Sequence, residues 1–166
     1  MIGDYVARVR RNHALEHATV SLLIGRIGPD IRVVGRASGD GFFLYGDIPG
    51  DVLGECVQEG LDRLKRGEAF WAVTPHCGTN LATAGVLAAL ASTAAMGNGD
   101  RKGKMGSAIM ASMLAMIVAQ PVGRMIQRHL TTSPDLADTE IVAIEERSNG
   151  RFYKVRTRRR AALTAE

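Results

Sequence analysis

The chain reads as an α+β protein with two amphipathic helices and about five short strands, interrupted by a two-helix transmembrane hairpin. Three observations predict this. Apolar residues recur at helical spacing over residues 4–26 and 51–66; short β-rich runs flank turns rich in Gly, Asn and Asp; and residues 77–99 and 105–123 contain no charged side chain. A length of 166 residues suits one ordinary core rather than two.

At 100° per residue, Val6, Val9, His13, His17, Val20 and Ile24 share one stripe of the first helix, with Glu16 at its edge. Gly28-Pro29 ends it. Residues 31–36 and 42–45 pair across Ser38-Gly39-Asp40-Gly41, and Pro49-Gly50-Asp51 supplies a turn with Asp51 as N-cap. The second helix buries Val52, Leu53, Cys56, Val57, Leu61 and Leu64 and ends at Gly67. Residues 70–73 form a short apolar strand leading into Thr74-Pro75-His76-Cys77-Gly78-Thr79-Asn80. After the uncharged runs, Pro121 and Gly123 mark a break, 124–130 a short helix and 131–135 a loop. Residues 140–146 and 152–158 then alternate around Ser148-Asn149-Gly150, a hairpin signal.

The two uncharged runs have 23 and 19 residues, about what a helix needs to cross roughly 30 Å of hydrocarbon. Gly85, Ala89 and Thr93 recur every fourth residue, as do Ser107, Ala111, Ala115 and Ala119, and rows of small residues let membrane helices approach closely. Asp100, Arg101, Lys102 and Lys104 read as the polar loop between them. The expected organisation is a metal-binding α+β module over 1–80 and 124–158, a hairpin over 81–123, and a basic disordered tail over 159–166. Most Lys and Arg fall outside the hairpin, which places both termini in the cytoplasm of a multi-pass protein of the bacterial cytoplasmic membrane. The net charge of +4 is concentrated in Arg151, Lys154, Arg156, Arg158, Arg159 and Arg160, a cluster suited to an anionic surface. The lipid bilayer is thus the expected partner, and nucleic acid is not. No secretory signal is visible, because the arginines near the N-terminus lead into His13 and Glu16 rather than an apolar core.

The chemistry sits in Arg11-Asn12-His13-Ala14-Leu15-Glu16-His17. Histidines at i and i+4 share a helix face and can hold one metal ion, with Glu16 beside it; His-x-x-Glu-His is the inverzincin order. The competing reading is two core histidines with Glu16 as their hydrogen-bond acceptor. A catalytic zinc site needs a third protein ligand. Cys77 is the first choice, His76 the second, and Glu55 or Glu59 of the second helix the third, while His129 reads as a surface residue. Two cysteines make no disulfide framework, and Cys56 belongs to the core.

A His-x-x-Glu-His helix followed by Pro-x-Cys-Gly-Thr just before apolar spans resembles the YqhQ-type family of bacterial membrane proteins, described as predicted metal-dependent enzymes. Here the motifs are His13 to His17 and Pro75 to Thr79, and the resemblance covers about the first two-thirds of the chain. That family carries a histidine just ahead of the proline, whereas this chain has Thr74 there and His76 after it. The resemblance implies a metal site and a membrane context, with no known reaction.

The expected function is a membrane-bound zinc-dependent hydrolase, peptidase-like, acting on an amide or ester. Zn2+ lowers the pKa of its bound water toward 7 and Glu16 takes the proton. The alternative is a non-catalytic metal-binding membrane protein with a structural or sensing site. A third reading, an adaptor working through the Arg-rich tail, leaves the histidines as core.

Overall fold

In a computed structural model, residues 1–97, 101–147 and 150–160 are described, with the backbone alone for 101–103. The chain divides into two compact units, Met1–Thr74 with Arg128–Glu166, and Pro75–Gln127.

In the first unit, α1 (Ile2–Ile27) is followed by β1 (Val33–Ser38), β2 (Gly41–Gly46), α2 (Gly50–Lys65) and a single 3-10 turn, Ala69–Ala72; after the second unit come β3 (Thr139–Arg147) and β4 (Phe152–Arg159). The described strands form one antiparallel sheet in the order β1-β2-β4-β3. Phe42 pairs with Val155 and Leu44 with Tyr153 in its two central strands. Those four side chains are buried with Leu15, Leu23, Leu53 and Val57 of α1 and α2, in one hydrophobic core. The first hairpin is the expected one, closing with Ser38 opposite Gly41. Pro49, not Asp51, occupies the N-cap of α2, and among the described residues no side chain caps that end. In the second hairpin, Gly150 sits at φ 78°, a left-handed conformation that suits glycine. Ser148 and Asn149 of that turn lie outside the described residues.

Residues 70–73 are not a strand. Trp71 N–H donates to Glu68 O and Val73 N–H to Phe70 O, and the indole N–H donates to the Glu68 carboxylate at 3.1 Å. Local hydrogen bonds therefore take the amides that a strand would offer to a neighbour. Four described strands replace the expected five.

The basic C-terminal cluster is mostly a strand, and acids distant in sequence neutralise it. Arg156 pairs with Asp40 and Glu145, Arg158 and Arg160 with Glu140, and Arg159 with Asp138. Lys154 is buried, donating to Asp40 Oδ1 and Ser38 Oγ at 2.7 Å each, with its ammonium 3.9 Å above the Phe43 ring. Of the expected tail over 159–166, Arg159 ends β4, and residues 161–166 lie outside the described residues.

In the second unit, α3 (Gly78–Met96) packs along α4 (Arg101–Ile126). Both helices are long and apolar enough to cross a membrane. Arg101 to Lys104 belong to α4 rather than to a loop, and Asp100 lies outside the described residues. The expected break at Pro121 and Gly123 does not occur. Pro121 withholds one amide, yet the helix continues to Ile126 and passes into a wider π turn, Gln127–Thr131. Gly123 serves packing instead, since a Cβ there would lie 2.2 Å from Asn80 Oδ1 on α3. The row of small residues facing α4 also differs from the expected one. Gly85, Ala89 and Thr93 are exposed, while Ala84 is buried and Ala88 accepts a hydrogen bond from Ser112. On α4, Ala108 and Ala119 are buried.

Candidate metal centre

The middle of α1 is buried on every side, with Ala14 through Val20 all enclosed. This removes water from both the imidazole of His17, 2% exposed, and the carboxylate of Glu16, 7% exposed. His13, one turn earlier, is half-buried. The two rings lie 4.3 Å apart, centroid to centroid, in an edge-on arrangement.

Each ring is fixed by a main-chain carbonyl. His13 Nδ1 lies 2.9 Å from Thr131 O, and His17 Nδ1 lies 2.8 Å from Ala72 O. A carbonyl oxygen only accepts, so Nδ1 carries the proton in both rings, and in the neutral ring Nε2 presents a lone pair. His17 Nε2 is buried and has no hydrogen-bond donor among the described residues. Burying such an acceptor without a partner is costly, and a cation would remove that cost. Orientation of a ligand histidine through its other nitrogen is also the usual support of metal sites.

Glu16 lies on the sheet side of α1, against Gly35 of β1. A Cβ at Gly35 would stand 2.0 Å from Glu16 Oε1, so glycine there admits the carboxylate. Cys77 is buried at the N-cap of α3, where its sulfur accepts from Thr79 N–H at 3.4 Å, and Asn80 steadies that turn by donating to Pro75 O. His76 is exposed. Glu55 and Glu59 are engaged by Arg26, and Glu59 also by Arg63, which hold the Glu59 carboxyl below its ordinary range through hydrogen bonds. They are thereby committed to arginines, contrary to their rank as third-ligand candidates. His129 is exposed as expected, and its carbonyl, not its ring, accepts from Arg10 at 2.9 Å. Burial pushes the Cys56 thiol up, as expected of a core cysteine.

Sequence reasoning missed the two carbonyls of Ala72 and Thr131, because a main-chain acceptor leaves no side-chain signature. Gly35 was findable, since a glycine inside a strand marks a close approach.

An i,i+4 histidine pair with matched tautomers, beside a buried glutamate on an α+β unit, has the donor chemistry that could hold a metal ion. Residues 8–144 match a family described as a domain of unknown function, DUF6391, and the chain belongs to that family. An uncharacterized protein of Picosynechococcus sp. is 32% identical over 162 residues, spanning 90% of this chain and 79% of that relative. No solved structure matches.

Proposed function

We propose that the protein is a membrane-bound zinc-dependent hydrolase, peptidase-like, with His13, His17 and Cys77 as ligands and Glu16 as the proton acceptor. The observation that carries the reading is the pair of Nδ1–H groups tied to Thr131 O and Ala72 O, with His17 Nε2 buried and without a donor among the described residues. Two imidazoles and a thiolate are a donor set that suits zinc. Cys77 follows Ala72 by five residues, and five extended residues span at most roughly 17 Å, so the carbonyl that orients His17 also tethers the thiol. The N-terminus of α3 favours an anionic sulfur.

When bound in such a site, zinc supplies Lewis acidity and a water of lowered pKa. Glu16, confined against Gly35, would then accept a proton during attack on an amide or ester. Apolar side chains exposed along α3 and α4 support insertion of both helices in a bilayer. The bacterial cytoplasmic membrane, with both termini cytoplasmic, is the setting that the distribution of Lys and Arg favours. The resemblance to the YqhQ-type group agrees with this setting and lends no reaction.

A second reading, a closed structural or sensing metal site, is favoured by the burial of His17 and Glu16 themselves. Elemental analysis of detergent-purified protein tests the ligand set. The parent should hold about one zinc per chain, His13→Ala, His17→Ala and Cys77→Ala should lose it, and Glu16→Gln should keep it. Full occupancy in His17→Ala would overturn the metal reading, and full occupancy in Cys77→Ala would return the third position to His76. Cobalt substitution separates the two functions: a visible spectrum altered by azide marks an open coordination position and a hydrolase, and one that azide leaves unchanged marks a closed site.

A further inference from the structure

We propose that the first unit holds a phosphate-bearing ligand in an arginine-walled cavity, bound chiefly by Arg11 and Arg8. The cavity, about 330 Å³, opens between the N-terminal half of α1, the β1–β2 turn and the outer end of β4. Its size falls at the small end of ligand sites, enough for a phosphate with a modest organic group. It stands apart from the metal reading and uses none of those ligands.

The floor of the cavity is polar and already satisfied. Asn12, 3% exposed, donates to Ser38 O at 2.7 Å and accepts from the Thr157 hydroxyl at 2.6 Å. Both ends of that amide are spent, so the floor is rigid and carries no charge. Among the charged lining groups, Asp40 is taken by Lys154 and Arg156, Arg158 pairs with Glu140, and Arg159 pairs with Asp138. The cationic excess therefore comes from α1. Among the described residues Arg8 meets Asp4 at 3.8 Å, with both side chains at least half exposed, an ion pair of little worth, and lies 5.9 Å from the centre of the Tyr5 ring. Arg11 is half-buried, and its side chain has no hydrogen bond or ion pair among the described residues.

A partly desolvated guanidinium gains most from an anion that accepts two parallel N–H bonds, and phosphate does so. Arg8 and Arg11, three residues apart, lie on neighbouring helix positions and can share one doubly charged group. A single carboxylate would satisfy one of them. Either a soluble phosphate compound or the headgroup of an anionic phospholipid offers this chemistry.

The test uses the full chain in phosphatidylcholine nanodiscs, titrated calorimetrically with inorganic pyrophosphate. Binding is expected, weakened about tenfold or more by Arg11→Gln, less by Arg8→Gln, and not at all by Arg32→Gln on the exposed edge of the unit. Arg11→Lys should fall between the parent and Arg11→Gln, because it keeps the charge and loses the bidentate fork. Repeating the titration with phosphatidic acid in the disc distinguishes the sources. Loss of pyrophosphate binding to the parent, but not to a protein already weakened at Arg11, supports the site with a lipid headgroup as occupant, and undiminished binding supports it with a soluble phosphate compound. Two results overturn the proposal: no response to either pyrophosphate or phosphatidic acid, or a response that Arg11→Gln leaves unchanged.

Discussion

In the first unit the enclosed side chains are Leu15, Leu23, Phe42, Leu44 and Val155, while charged residues crowd the outside and pair there. In the second unit the arrangement is reversed. Leu81, Val86 and Leu90 of α3 and Ile109, Met113, Leu114 and Ile117 of α4 are exposed, whereas Ala84, Ala108, Asn80 and Gln127 are buried. Water drives large apolar groups inward, as in the first unit. A helix pair in hydrocarbon gains nothing by hiding leucine and associates through small residues and satisfied polar groups, which is the pattern expected of the second unit on the proposed membrane reading. On that proposed reading one chain carries surfaces for two solvents, and a pair of leucines tests the contrast directly. Leu15→Ala should cost about 2–5 kcal/mol of stability in the first unit, because the enclosed site cannot collapse fully. Leu114→Arg, in the middle of α4, should cost roughly 2.5–3.5 kcal/mol of insertion and shift the protein out of the membrane fraction. If α4 instead faced water, that exposed substitution would change stability by less than about 0.5 kcal/mol and leave fractionation unaltered.

The next effect sharpens the contrast at the candidate site. Gly35→Ala places a methyl carbon 2.0 Å from Glu16 Oε1, so either the carboxylate or β1 must move. Overpacking of this kind costs about 1–3 kcal/mol, read as a lowered thermal midpoint in detergent. The zinc content should hold if Glu16 is the proton acceptor and fall if it is a ligand.

Much of this architecture was legible because its signals are local. Helical spacing over 4–26 and 51–66, the Gly39-Asp40 turn and the uncharged runs each depend on a few neighbouring residues. The failures share a cause, since each was decided by a partner far along the chain or by the main chain itself. Trp71 read as a strand residue until Glu68 took its amide and its indole. Arg159 and Arg160 read as a basic disordered tail, whereas Asp138 and Glu140 pair with them across the sheet. The small-residue row on α3 was one position out, because a four-residue repeat leaves open which of two adjacent alanine-rich rows faces the neighbour. At the candidate metal centre, His13, His17 and Glu16 were visible as a motif, and the carbonyls that fix the rings were not.

A smaller effect comes from the buried cation of the first unit. Lys154 hydrogen-bonds to Asp40 and, with help from Ser38, holds its carboxyl below the ordinary carboxylate range. Because the folded value lies below the unfolded one, near 3.9, the pair stabilises fully above about pH 5 and the contribution fades as pH falls through the folded value. Asp40→Asn should therefore lower the thermal midpoint at pH 7, corresponding to about 1–2 kcal/mol, with Asp40 itself half exposed. The gap between variant and parent should narrow toward pH 3. No gap at pH 7 would mean that Ser38 and the Phe43 ring carry Lys154 without Asp40.

The smallest expected effect tests how the second unit is held together. Ser112 Oγ lies 2.9 Å from Ala108 O in its own helix and 3.3 Å from Ala88 O on α3. Ala88 O is already an acceptor within α3, so Ser112→Ala removes a donor without orphaning a buried group. Interhelical hydrogen bonds of this kind in membranes average about 0.6 kcal/mol, so the thermal midpoint in detergent should barely move. Ser112→Leu should behave differently, because close approach along Ala84 and Ala88 leaves no room for a branched chain. Its loss should exceed that of Ser112→Ala several-fold. Equal losses would show that the hydroxyl, and not the small-residue packing, joins the two helices.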